Sequence, residues 1–536
     1  MIARKSFLMV STNFLNNILA WIGIVVLAKL WGGFAPEALG IVGFALSFIG
    51  IFEIISDFGF SQAHIKRISE GKDLGTCIGT FITIKLILTG LMVGSIFLAI
   101  FLMQNILNTN FYDATTYSVI IVIIFYSIFN KLQAISLKTF EGLGEFAKSE
   151  ISRLFENIIK LPLTIIVALA GVSVIGYSIN PAIGWPSFLQ PLQKFIENHA
   201  FGSLAMTYAL GALGVFIIGL YFMRTYPIKK PNLELSKNYF NFAFPIMLTS
   251  IVATISMNVD KVMIGYFWTN VEVGYYFTIQ RILIFVNIFY ISVGRVLFPS
   301  ISKYHTKRNL NKIKSKTKLA ERYISMVVLP PIIFVLIFIN PFISVVLDSA
   351  FLPAAPVLSV LLFLTLINAL TAPYINLISG MNRPDILAKI NITIFSINIL
   401  LNYLIIPENG ILSGFGINGP TGAAVATVIA FSISFCGYRG FVKKLLDIHL
   451  FQTHTPRHLI AGAIMGLSLY YVGYYINIFP EIRWYILLLY AGLGLLIYIA
   501  VLFLLREFNK KDFKFFLNNL HPKEMFSYIK SEFKNR

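Results

Sequence analysis

The chain has 536 residues, of which 57% are hydrophobic and 12% charged, with a mean hydropathy of +0.78. A soluble domain carries about 25% charged residues, so this composition excludes a soluble enzyme and points to an all-α integral membrane protein. The formal net charge of +19 would suit a nucleic-acid partner, but basic residues gathered in cytoplasmic loops explain it as well.

The first residues, MIARKSFLMVSTNFLNN, are basic and then apolar as far as about Leu30. That run is long enough to span a bilayer, and it reads as an uncleaved first helix rather than a signal peptide. With about 20 apolar residues per span, about fourteen helices are expected. They fall near 7–30, 37–57, 74–103, 114–138, 151–178, 202–223, 240–267, 273–299, 319–346, 353–379, 386–406, 420–442, 458–479 and 482–505. If the N-terminus is cytoplasmic, the inner segments collect most of the basic residues, among them Lys66, Arg67, Lys229, Lys230, Lys307, Arg308, Lys443 and Lys444. The outer loops keep only Lys194 and Arg483. This asymmetry predicts that both termini are cytoplasmic and that the location is the plasma (inner) membrane. The longest outer loop, about 179–201, carries Trp185 and three prolines, and it is expected to lie along the outer surface. From Arg506 to Arg536, phenylalanines alternate with lysines, as in a helix lying in the membrane interface.

Two stretches recur. Gly142-Leu143-Gly144 closes the fourth helix, and Gly380-Met381-Asn382 closes the tenth. Lys29 followed by Gly40 has a counterpart in Lys261 followed by Gly274. Six helices repeated in the same orientation would form two like-oriented bundles, residues 1–228 and 229–447, with a cleft between them. Helices 13–14 (448–505) and the basic tail (506–536) are appended. Pro162, Pro245, Pro330, Pro331 and Pro373 fall inside helices and kink them.

An ionised side chain near the bilayer centre costs roughly 2.5–3.5 kcal/mol, so such residues point to function. The cations within spans are Lys29, Lys85, Lys131, Lys160, Lys261, Arg281 and Arg295; the acids are Glu53, Asp57, Glu156 and Asp260. Arg281 and Lys85 lie deepest. Lys29 and Lys131 reach headgroups by snorkelling. Glu156, four residues before Lys160, is placed to neutralise it. The excess of cations predicts an anionic cargo such as a diphosphate, with Glu53, Asp57 and Asp260 as candidate acids for coupling to H⁺ or Na⁺. Cys77 and Cys436 make no disulfide framework, and no metal-ligand spacing appears among the seven histidines. Gly71-Lys72-Asp73 lacks the rest of a phosphate loop, so no nucleotide cofactor is expected.

Four stretches carry a family resemblance: FAPEALGIVGFALSF, SDFGFSQAHIKR, MNVDKVMIGYFWTNVEVGYY and LLNYLIIPENGILSGFGINGPTGAAVATVIA. In order and spacing the chain resembles the polysaccharide-unit flippases of the multidrug/oligosaccharidyl-lipid/polysaccharide exporter superfamily. The resemblance implies a non-enzymatic transporter that exports a lipid-linked oligosaccharide, with membrane lipids and polysaccharide-assembly proteins as partners. It also implies that Arg281 stands where related lipid II flippases carry a cleft-facing arginine. Glu53 stands where a basic residue is expected, and Lys29 does not match the first-helix arginines. A multidrug antiporter of the same superfamily and a membrane glycosyltransferase or polymerase are the competing readings. The first is less favoured by the basic excess, the second by the short outer loops.

Overall fold

The computed structural model describes residues 2–105, 113–174, 176–446, 454–475, 483–509 and 512. Among them are seventeen α-helices and one two-stranded hairpin. The first half holds α1 (Ile2–Trp31), α2 (Ala35–Phe52), α3 (Phe60–Ser69), α4 (Leu74–Asn105), α5 (Ala114–Leu143) and α6 (Phe146–Ala170). After these come β1 (Val172–Val174), β2 (Tyr177–Ile179), α7 (Gln190–Asn198) and α8 (Ala200–Met223). The second half holds α9 (Leu233–Phe267), α10 (Asn270–Thr306), α11 (Leu310–Ile337), α12 (Ile339–Val346), α13 (Ala355–Gly380), α14 (Pro384–Ile405) and α15 (Gly419–Leu446). The last pair, α16 (His454–Tyr475) and α17 (Trp484–Leu504), packs on α11.

Among the described residues, ten helical segments are long and apolar enough to cross a membrane, the first of them running through α1 and α2 from Ser11 to Phe52. The protein is a multi-pass membrane protein. Helices stand in all the expected windows, but several boundaries differ. The fifth window stops at Ala170, where Gly171 turns the chain at φ +87° into β1 and β2. The second stops at Phe52; residues 53–59 form turns that end on Phe58 (φ +43°) and Gly59 (φ +86°). The ninth divides at Phe338 into α11 and α12. Most of the tail, 513–536, lies outside the described residues, but its start is tied down. Arg322 donates from Nε to Glu507 at 2.7 Å and from Nη2 to Asp512 at 2.8 Å.

Polar residues start the helices. Asp113, Asn232 and Asn309 cap α5, α9 and α11 by accepting backbone N–H bonds. Thr269 and Glu272 form a capping box on α10.

The same contacts occur in each half. The Trp31 indole at the end of α1 donates to the Ala168 carbonyl of α6 at 3.1 Å; the Trp268 indole after α9 donates to the Ile406 carbonyl after α14 at 2.7 Å. Gly142 of α5 abuts Ile68, and Gly380 of α13 abuts Ile301. The halves meet where α2 crosses α10. A Cβ on Gly40 would overlap the Asn270 carbonyl, and one on Gly274 would overlap the Pro36 carbonyl. Only glycine allows two backbones to come this close. We call this the seam end of the molecule. At the opposite, linker end, residues 224–232 cross α4: the Lys229 amide donates to the Gly75 carbonyl at 3.0 Å and its ammonium pairs with Asp73 at 2.8 Å. Hydrogen bonds from Lys229 and Thr76 hold the Asp73 carboxyl well below the usual range.

Candidate functional site

Arg281 lies eleven residues into α10, and its guanidinium sits 5.1 Å from the centre of the Phe277 ring. Lys160 of α6 sits 4.2 Å above the Tyr208 ring of α8. Both line one water-sized cavity of about 30 Å³, closed by Gly23 and Leu27 of α1, Thr164 of α6 and Leu204 of α8. The cavity therefore lies between the first half and α10 of the second. Among the described residues neither cation is in an ion pair. Glu156 is within electrostatic reach of both Lys160 and Arg281. Tyr126, edge-on to Tyr208 at 6.0 Å, stands among Glu53, Glu156 and Arg281.

The other expected charges are engaged elsewhere. Lys85, 1% exposed, pairs with Asp57 and donates to the Ser56 carbonyl at 3.0 Å, while Ser61 also bonds Asp57. Lys131 pairs with Glu53 at 2.8 Å, and Ser127 donates to Glu53 at 3.1 Å. The unwound turn after α2 presents both carboxylates to these lysines, so Lys85, Glu53 and Asp57 are neutralised in place. Lys29, expected near a surface, is exposed and donates to the Ser344 carbonyl at 2.5 Å. The Arg295 side chain lies outside the described residues. Lys261 is buried rather than near a surface; its ammonium donates to the Met257 carbonyl at 2.7 Å and to Gln280 at 3.2 Å.

Asp260 is the centre of a second site. It is 5% exposed and accepts from Tyr276 at 2.8 Å, Asn402 at 2.7 Å and Thr427 at 3.1 Å. Asn398 donates to Thr427 at 3.1 Å and accepts from Asn402 at 3.3 Å. The Asn402 Oδ1 atom is buried with no hydrogen-bond partner. Two amides and a hydroxyl from α14 and α15 thus form a polar cage around one buried carboxylate, and Thr427 also bonds the Ala423 carbonyl at 2.9 Å.

Sequence reasoning alone does not assemble this cage. Asn398 and Asn402, one turn apart in an apolar helix, were its available signal, since buried amides need partners. A further ion pair, Glu321 with Arg439, escapes notice because both lie near expected span ends. Glu321 is fully buried and also accepts from Tyr374 at 2.5 Å.

Two cations, neither in an ion pair among the described residues, thus line a cavity between two helical halves, and a buried carboxylate stands in a polar cage on the second half. Family models, each described as "Polysaccharide biosynthesis protein", match residues 2–184 and 199–356. A probable low-salt glycan biosynthesis flippase, Agl15 of Haloferax volcanii, is 23% identical over 96% of this chain and 98% of its own. An uncharacterized membrane protein, MJ1068 of Methanocaldococcus jannaschii, is 26% identical over 40% of this chain and 41% of its own. The fold is similar to that of the lipid II flippase MurJ in an inward closed conformation. That match has a TM-score of 0.68 and 17% identity, and covers 92% of this chain and 98% of that one. It is also similar to an inward-facing multidrug resistance MATE family transporter of the MOP superfamily, with a TM-score of 0.59, 14% identity and 80% and 95% coverage. The two family models, the full-length relative and the fold all agree with the resemblance carried by the sequence motifs.

Proposed function

We propose that the protein flips a polyprenyl-diphosphate-linked oligosaccharide from the inner to the outer leaflet of the plasma membrane, by alternating access, for cell-surface polysaccharide synthesis. The observation that carries this reading is the placement of Lys160 and Arg281, contributed by different halves, on one cavity, with Glu156 in electrostatic reach but neither cation in an ion pair among the described residues. An arginine fork and an ammonium suit the two phosphates, while the polyprenyl tail stays in lipid. The reading takes fourteen spans, like-oriented bundles at 1–228 and 229–447, and the seam end facing outward. Separation at Gly40 and Gly274 would then open the cleft to the outside. A membrane potential negative inside favours outward movement of the anion, by about 2.3 kcal/mol per charge per 100 mV for a full crossing.

Asp260 with Asn398, Asn402 and Thr427 serves in this scheme as the site of a coupling cation, Na⁺ or H⁺. A cation bound there changes the tie between α9, α14 and α15, and α9 also packs against α2 of the first half.

The test is transfer of a fluorescent polyprenyl-diphosphate oligosaccharide in proteoliposomes. Arg281→Ala and Lys160→Ala are each expected to slow transfer about tenfold or more, as loss of a charge-assisted hydrogen bond does. Full transfer by the double variant sinks the phosphate-gripping role, and no transfer by the intact protein sinks the function.

A further inference from the structure

A polar pocket of about 630 Å³ opens at the seam end, within the range of small-ligand sites, roughly 300–1,000 Å³. It is built from the start of α2, the start of α5, the hairpin strand β1 and the junction of α7 with α8. Glu37, Asp113, Ser173, Asn198 and His199 supply its polar wall, and Phe201 supplies an apolar one. The hairpin stands beside this wall, with the Tyr177 phenol of β2 within electrostatic reach of Glu37.

The lining restricts what can bind. Its fixed charges are carboxylates, and among the described residues no lysine or arginine lines it, so a diphosphate would be repelled. Among the described residues no group of three His, Cys, Asp or Glu side chains is arranged to hold a metal. Carboxylates accept hydrogen bonds, and hydroxyls and amides both donate and accept; together they match a molecule that is itself covered in hydroxyl groups.

The position is equally specific. Glu37 directly follows Pro36, whose carbonyl abuts Gly274 across the seam. Thr116, two residues before Ser118 of the pocket wall, accepts from Asn270 of α10 at 3.2 Å. The pocket therefore borders the line along which the halves must part.

We propose that this pocket binds an uncharged segment of the oligosaccharide as it leaves the opened cleft. The inference rests on the flippase reading above. It separates the cargo's recognition into two places: cations at Lys160 and Arg281 for the diphosphate, and carboxylates and hydroxyls at the seam end for the sugars.

Ser173→Trp tests it. Ser173 is exposed on β1, so an indole there enters the pocket and not the core. The full chain in proteoliposomes is given two fluorescent polyprenyl diphosphates, one bearing a single glucose and the other a neutral pentasaccharide. The variant is expected to transfer the pentasaccharide lipid about tenfold more slowly, the worth of roughly one or two hydrogen bonds. The monosaccharide lipid should move at the rate of the intact protein. If the variant changes both rates equally, or neither, the inference is overturned. If the intact protein moves neither lipid, the flippase reading fails instead, and saturation-transfer NMR with free maltopentaose decides the pocket. A signal on the intact protein that Ser173→Trp removes supports the pocket; an equal signal or none rejects it.

Discussion

The two tryptophan clamps give the halves a common ruler, and along it two polar sites of different character line up. Eight residues before Trp31 stands Gly23, and eight before Trp268 stands Asp260. Eight and four residues before the carbonyl held by Trp31 are Lys160 and Thr164; at the same steps before the carbonyl held by Trp268 are Asn398 and Asn402. A hydroxyl on the sixth long helix completes each set: Thr207 lies 3.4 Å from Thr164, and Thr427 lies 3.1 Å from Asn398. Where the second half holds a carboxylate that accepts from an amide and two hydroxyls, the first has a glycine and a lysine, and Arg281 reaches in from across the cleft. At these matched positions the halves share backbone contacts but differ in charge, a lysine in the first and a carboxylate in the second.

The buried ion pairs at the linker end are divided in the same way. Lys85 lies eleven residues into α4, and Glu321 eleven into α11. Lys85 finds Asp57, whose side chain is 37% exposed; Glu321 finds Arg439, and both are almost wholly buried. Glu321→Ala strands an arginine that cannot lose its charge, and we expect a loss of about 3–5 kcal/mol. Asp57→Ala should cost less, because a lysine can shed its proton and water already reaches that site. Denaturant titration of the protein in detergent measures both. Equal losses would show that the two pairs are energetically alike.

The next test breaks the symmetric seam. Gly274→Val places branched carbons where the Pro36 carbonyl lies. Overpacking of this kind costs about 1–3 kcal/mol, and only in the state where α2 and α10 touch. The population should shift toward the parted state by about tenfold to 100-fold. A cysteine at the buried position Ala38 should then react faster with a membrane-impermeant maleimide added from the seam side. An unchanged labelling rate would mean that the seam does not open there.

Gly23→Asp acts directly on the comparison by making the first half resemble the second. The space exists, since a Cβ on Gly23 would meet Leu161 at 3.6 Å and Thr164 at 3.7 Å, ordinary contact distances. The new carboxylate would compete for Lys160 and Arg281, and transfer of a diphosphate lipid should fall about tenfold, roughly the worth of one charge-assisted hydrogen bond. Its companion, Asp260→Asn, should remove the dependence of transfer on Na⁺ or on a proton gradient. If Gly23→Asp transfers at the normal rate, the cavity does not hold the anion.

Much of this framework is legible in the sequence. Long apolar runs give the helices, and Gly40 and Gly274 stand out because each follows a lysine and a short turn. Arg281 is visible as a charge deep in a span. What stays hidden is pairing. Lys85 and Arg281 look alike along the chain, yet the unwound turn 53–59 delivers Asp57 to Lys85, whereas no carboxylate pairs with Arg281 among the described residues. Asp260 looks like a partner for Lys261 because they are adjacent in sequence. Neighbours on a helix point in different directions, and Asp260 turns instead to α14 and α15. The hairpin after Ala170 is missed because Val172, Val174 and Ile179 continue an apolar run that periodicity alone cannot divide.

The smallest expected effect is the best measure of how alike the halves are. Trp31→Phe and Trp268→Phe each remove one indole hydrogen bond and keep most of the ring. A single bond of this kind is worth about 0.5–1.5 kcal/mol. The Trp31 ring is fully buried, and that of Trp268 partly so, with its face against Gly419. Trp31→Phe leaves the Ala168 carbonyl unsatisfied where water is scarce, whereas the Ile406 carbonyl also accepts from the Gly419 amide at 2.9 Å. Trp31→Phe should therefore cost the more of the two, by a few tenths of a kcal/mol up to about 1. Thermal unfolding of the paired variants checks this. A larger loss for Trp268→Phe would mean that the clamp on the second half carries a load the first does not, and the ruler drawn from the two would no longer be symmetrical.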